Sequence, residues 1–127
     1  MDKSSRYVWE ISNDGKLTIT QFINEEWNFE QSVYLKALDK EKIFLNEDNF
    51  FQTDYYFTIH VRCKNNREEV LKKFQRYIRS STIFVRMAPD EKTAVQLKNA
   101  IAYLITLAER KPEFKEKESD PFDYTKQ

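Results

Sequence analysis

The stretch Pro89–Lys111, PDEKTAVQLKNAIAYLITLAERK, decides the fold. Advancing about 100° per residue puts Ala94, Leu97, Ala100, Ile101, Leu104, Ile105, Leu107 and Ala108 on one side. Lys92, Gln96, Asn99, Tyr103 and Thr106 fall on or near the other. The spacing therefore predicts one long amphipathic helix over 89–111. Its ends are marked as well. Pro89 suits a first helical position, Asp90 and Glu91 complement the N-terminal dipole, Arg110 and Lys111 the C-terminal end, and Pro112 forbids continuation. A stripe this wide has to be covered, and the preceding residues supply strands to cover it.

Upstream of the helix the pattern alternates with period two. Tyr7, Trp9 and Ile11 alternate with Val8 and Glu10, Asn13-Asp14-Gly15 turns the chain, and Lys16–Phe22 returns, a hairpin signal. Asn24–Asn28 reads as a polar connection with Trp27 packed, Phe29–Leu38 as a third strand, and Lys42–Leu45 as a short fourth. Residues 46–54 read as a loop or an irregular strand. Tyr55–Lys64 is the clearest strand, with Tyr55, Phe57, Ile59, Val61 and Cys63 on one face and Tyr56, Thr58, His60, Arg62 and Lys64 on the other. Over 67–79 the period changes: Val70, Leu71, Phe74, Tyr77 and Ile78 fall at helical spacing behind Asn66 and Glu69, which predicts a short helix. Thr82–Met87 alternates again, Ile83, Val85 and Met87 against Thr82, Phe84 and Arg86.

Strands at hairpin spacing, a short helix, one more strand and a closing helix give an α+β class. The expected arrangement is an antiparallel β-roll or two packed antiparallel sheets, with the 89–111 helix against them. Successive antiparallel strands ending in one long amphipathic helix resemble a pleckstrin-homology-like roll. The tail order, an AxxLxxAIxxLIxL helix followed by a charged segment with Asp120-Pro121-Phe122, is similar to small uncharacterised bacterial proteins. The resemblance implies a fold that serves binding. The 67–79 helix departs from the element order of such rolls.

The 127 residues suffice for one globular domain over 1–111, followed by a charged tail over 112–127 expected to be mostly disordered. Hydrophobic content of 40% is globular, whereas 33% charged residues and a mean hydropathy of −0.77 demand a very polar surface. Cys63 alone excludes an internal disulfide and fits a reducing compartment. With no apolar leader-like run and no membrane-length apolar stretch, a cytoplasmic protein is expected. The single glycine, Gly15, excludes phosphate-cradling glycine loops, so turns fall to Asn and Asp.

The chemical inventory is poor. His60, the one histidine, sits on the opposite strand face from Cys63, which argues against a dyad. No metal or cofactor is expected, because zinc needs three or four clustered ligands and Glu47, Asp48 and Asp54 lack calcium-loop spacing. No pair among the 21 carboxylates stands out for acid–base work. No enzyme is expected.

Charge placement says more. Residues 1–58 carry 11 acidic and 6 basic side chains, and residues 59–88 carry 8 basic and 2 acidic, although the whole chain is neutral. Arg62, Lys64, Lys72, Lys73, Arg76 and Arg79 make a candidate basic surface, four of them on one face of the expected 67–79 helix. The plainer reading pairs Glu68 with Lys72 and Glu69 with Lys73 at i,i+4 as a solvated face. A protein-interaction module binding another protein or a second copy of itself is the preferred expectation. Nucleic acid or anionic lipid bound through 62–79 is the alternative. Asp120-Pro121-Phe122 also resembles a tripeptide that docks on clathrin-adaptor ears.

Overall fold

A computed structural model describes residues 5–50, 54–87 and 91–116. Two antiparallel sheets and one helix form a common core. The first sheet has the order β1-β2-β3-β6-β7, built from β1 (Ser5–Ile11), β2 (Lys16–Ile23), β3 (Glu26–Tyr34), β6 (Val70–Lys73) and β7 (Tyr77–Ser80). The second has the order β4-β5-β8, from β4 (Leu38–Phe50), β5 (Asp54–Cys63) and β8 (Thr82–Met87). One 3-10 turn, Leu35–Ala37, carries the chain from the first sheet to the second, and another, Lys64–Asn66, lies on the way back.

The hairpin β1–β2 forms as its turn residues dictate. Gly15 takes φ +89°, which a residue without Cβ adopts without strain, and the register pairs Trp9 with Ile19. The next connection is tighter than expected. Asn24 and Glu25 both have positive φ, 52° and 66°, the geometry of a two-residue I′-type turn, so β3 starts at Glu26. Trp27 does not pack inside; it is 42% exposed. The third strand breaks at Tyr34, and Val33, Tyr34, Leu35, Ala37 and Leu38 are all buried, so burial does not alternate here. The fourth strand is far longer than Lys42–Leu45, because residues 46–50 pair in register with β5. Asp39 and Asn46–Asn49, although of the residue types that favour turns, lie inside β4.

The expected helix over 67–79 is absent. Residues 67–69 are irregular, and Val70–Lys73 and Tyr77–Ser80 form a hairpin whose first strand pairs with β3 through Glu30–Lys73, Gln31–Lys72 and Ser32–Leu71. A helix of this length is marginal alone. The free edge of β3 would leave backbone N–H and C=O groups unpaired, and β6 satisfies them while burying Val70 completely. Valine, isoleucine and the two aromatic rings of the segment suit a strand equally well. Hence no i,i+4 pairs join Glu68 to Lys72 or Glu69 to Lys73.

The long helix, α1 (Glu91–Glu109), lies where its stripe demands. Ala94, Ile101, Ile105 and Ala108 are buried, and α1 packs against β4, β5 and the Leu35–Ala37 turn, with Ile101, Ile105 and Ala108 in one cluster with Leu38, Ile43, Ile59, Val61 and Cys63. Ala100, placed on the stripe by the spacing, is exposed at its margin. Pro89 and Asp90 lie outside the described residues. At the other end Glu109 opposes the helix dipole but receives Lys40 at 2.9 Å and Lys64 at 3.4 Å. Among the described residues no helix is long and apolar enough to cross a membrane.

Residues 112–116 fold back. Phe114 packs on the core beside Gly15, and the Lys115 N–H donates to the Asp14 carbonyl at 2.9 Å. Residues 117–127, with Asp120-Pro121-Phe122, lie outside the described residues. Asp14 ties this corner together. Its carboxylate is held below the usual range chiefly by the Ser12 hydroxyl, with help from the Tyr34 hydroxyl at 3.1 Å and Lys115 at 3.7 Å. A carboxylate depressed in the folded state adds stability above its unfolded value of about 4 and loses it as pH falls through the folded value. Asp14→Asn should therefore shrink the drop in Tm between about pH 7 and pH 3; an unchanged drop would contradict this account.

Candidate functional site

The solvent face of the second sheet carries an in-register aromatic row. Alternation along β5 sends Phe57, Ile59, Val61 and Cys63 into the core and turns His60 and Arg62 outward. Pairing sets Phe44 of β4 opposite His60, and His60 opposite Phe84 of β8. The helix covers the other face, so Phe44 remains 43% exposed. The His60 and Phe84 rings lie 6.0 Å apart and near parallel.

The row does not end at the sheet edge. Strand β8 meets the first sheet at Gln31, whose side chain is buried to 1% exposure. The Phe84 N–H donates to Gln31 Oε1 at 3.0 Å, and Gln31 Nε2 donates to the Phe84 carbonyl at 2.7 Å. One amide side chain thus stands in for a neighbouring strand and joins the two sheets. The Phe84 backbone groups face this edge, so Phe84 and His60 form a non-hydrogen-bonded pair, the kind whose side chains approach most closely. Beyond the joint Phe29 lies 6.1 Å from Phe84, and Phe74 6.0 Å from Phe29.

Two shallow bays flank the Phe84–His60 pair. One, of about 390 Å³, is lined by Phe44, Asn46, His60, Arg62 and Thr82. The other, of about 320 Å³, is lined by Tyr7, Gln21, Asn28, Phe29, Phe74 and Phe84. Its polar wall is ordered: Gln21 Nε2 donates to the Tyr7 hydroxyl at 3.3 Å and Asn28 Nδ2 to Gln21 Oε1 at 3.1 Å. Among the described residues neither bay is lined by a carboxylate. Two cations stand over the rings, Arg62 at 5.5 Å from the Phe44 centroid and Lys72 at 4.5 Å from that of Phe84. Desolvation by burial lowers the Lys72 pKa from the ordinary lysine value.

The six basic residues singled out in the sequence are divided by the fold. Arg62 and Lys72 join the aromatic row. Lys73, next to Lys72 in a strand, points to the opposite face, where it sits 5.5 Å from the Tyr77 ring centroid. Arg79 also lies on β7, across from Leu71, and Arg76 sits in the β6–β7 turn. Lys64 is drawn to Glu109 at the end of α1 and lines a separate cavity of about 300 Å³ with Lys36, Arg67, Glu69 and Glu116. Its mixed charges leave that cavity without a clear preference for either sign. Cys63 is fully buried with its thiol pKa pushed up by desolvation, so it is no nucleophile. Among the described residues no three His, Cys, Asp or Glu side chains gather in a way that could hold a metal ion.

Sequence reasoning missed Phe29, Phe44, Phe74 and Phe84 as a group. The available signal was outward parity at Phe44, His60 and Phe84 in three separate strands; their alignment depends on pairing register.

The geometry defines an α+β protein of two antiparallel sheets closed by one helix, with an aromatic, cation-bearing groove crossing their junction. The chain matches no protein-family model, no curated protein and no solved structure.

Proposed function

We propose that the protein is a small non-catalytic interaction module that binds its partner along the row Phe44–His60–Phe84 and its continuation to Phe29 and Phe74. The single observation behind the reading is that these rings keep partial exposure on a face that the helix does not cover. Large aromatic side chains on an ordered surface supply contact area at low entropic cost and are typical of binding surfaces. We read the overall arrangement as a roll of the pleckstrin-homology type, on the strength of its antiparallel sheets and closing C-terminal helix. We place it in a reducing, cytoplasmic setting on the strength of its one cysteine.

The test is a backbone-amide NMR titration with fractionated cell extract. Shifts confined to Phe44, His60, Arg62, Phe84 and their neighbours, and lost in Phe44→Ala, are expected. Shifts concentrated on the exposed side of α1, or turnover of any substrate in the extract, would overturn the assignment.

A further inference from the structure

We infer that the groove binds single-stranded nucleic acid, with bases stacked on the aromatic row and phosphates held by Arg62 and Lys72. The inference rests on the binding-module reading above and names its ligand class. Four observations favour it. The rings Phe74, Phe29, Phe84 and His60 follow one another at 6.0, 6.1 and 6.0 Å. That is nearly twice the ~3.4 Å rise of stacked bases, so a strand lying along the row is extended, with its bases splayed onto separate rings. Every base has a π-face, and a platform of this kind therefore tolerates any sequence.

Cations occur where a backbone would pass. Arg62 and Lys72 stand over Phe44 and Phe84, one on each side of His60. Among the described residues the lining of both bays holds no carboxylate, which would repel phosphate, whereas the third cavity includes Glu69 and Glu116. Amide groups of Gln21, Asn28 and Asn46 line the same bays as the rings and offer donors and acceptors to base edges. A purely apolar protein partner uses none of these polar groups. A double helix holds its bases paired and already stacked, so it cannot lay them on separate rings.

Among the described residues two cations stand over the rings, so a shallow electrostatic contribution is expected. For single strands the slope of log K against log salt is about −0.7 per phosphate neutralised, which gives roughly −1.4 here. This separates the inference from a polybasic mode, in which the slope is several times steeper.

The experiment is fluorescence anisotropy with labelled dT12 and rU12, titrated with the full chain from low to near-physiological salt. Phe44→Ala and Arg62→Glu, both at exposed positions, are compared with wild type, and duplex DNA and anionic phosphatidylserine vesicles serve as competing probes. Wild type should bind both oligonucleotides with a shallow salt slope and prefer them to duplex. Phe44→Ala should weaken binding by roughly five- to a hundredfold without changing the slope. Arg62→Glu should weaken binding and flatten the slope. Absence of oligonucleotide binding at low salt, equal binding by the variants, or binding to vesicles alone would overturn the inference. Size-exclusion with light scattering on the same proteins separates the two levels. Self-association lost in Phe44→Ala, without oligonucleotide binding, removes nucleic acid as the ligand and keeps the groove as an interaction surface. No difference between wild type and Phe44→Ala in either measurement removes both.

Discussion

Replacing Gln31 with leucine should lower stability by about 2–4 kcal/mol, a large share of the roughly 5–15 kcal/mol that holds a domain of this size. Leucine keeps the volume of the side chain but leaves two backbone groups of Phe84 without their partners, the N–H bonded at 3.0 Å and the carbonyl at 2.7 Å. Buried groups stripped of a partner retain their desolvation penalty, and this dominates any gain from a more apolar residue. Gln31→Glu makes the argument sharper. An ionised carboxylate can still accept from the Phe84 N–H, but it cannot donate to the carbonyl and its charge is buried. Burial raises the folded pKa of such a glutamate above the unfolded value, so the variant is least impaired in acid and loses stability as pH rises through that interval. Urea unfolding near pH 4 and pH 7 checks both claims. A Gln31→Leu change within about 0.5 kcal/mol, the range of surface substitutions, would show that the joint between the sheets is held by something else.

The joint also shows where the sequence was silent. The hairpin β1–β2, strand β5 and α1 were legible because each is specified locally: Asn13-Asp14-Gly15 for the turn, strict alternation over Phe57–Cys63, and the 94–108 stripe for the helix. Segment 70–79 was not, because Val70, Leu71, Phe74, Tyr77 and Ile78 satisfy a 3.6-residue period and two short strands alike. The free edge of β3, some 40 residues earlier in the chain, decided between them. The binding groove was illegible for the same reason. Its rings come from β3, β4, β5, β8 and the β6–β7 turn, and only cross-strand register brings them together. Of the basic residues, Arg62 and Lys72 reached the groove through strand parity, not through the helix face on which Lys72 had been grouped with Lys73, Arg76 and Arg79.

Gly15→Ala should cost about 2–4 kcal/mol, the sum of two separable effects. One is backbone strain: φ is +89°, and an L residue with a Cβ is driven out of that region at a cost of about 1–2 kcal/mol. The other is collision. A Cβ at this position would lie 2.5 Å from the Cγ and Cδ2 atoms of Phe114, too close for any real pair of carbons. The phenyl ring must then leave, and with it the Lys115 N–H bond to Asp14 and the packing of 112–116 on the core. A double-mutant cycle with Phe114→Ala separates the two. In the Phe114→Ala background both 2.5 Å contacts vanish and only the Cβ of residue 114, at 3.0 Å, stays close, so Gly15→Ala should retain little beyond the strain of about 1–2 kcal/mol. The difference measures how firmly the segment after α1 is docked, which no single substitution does. Strict additivity in urea or thermal unfolding would mean that Phe114 contributes nothing at Gly15. The need for glycine would then come from the turn alone.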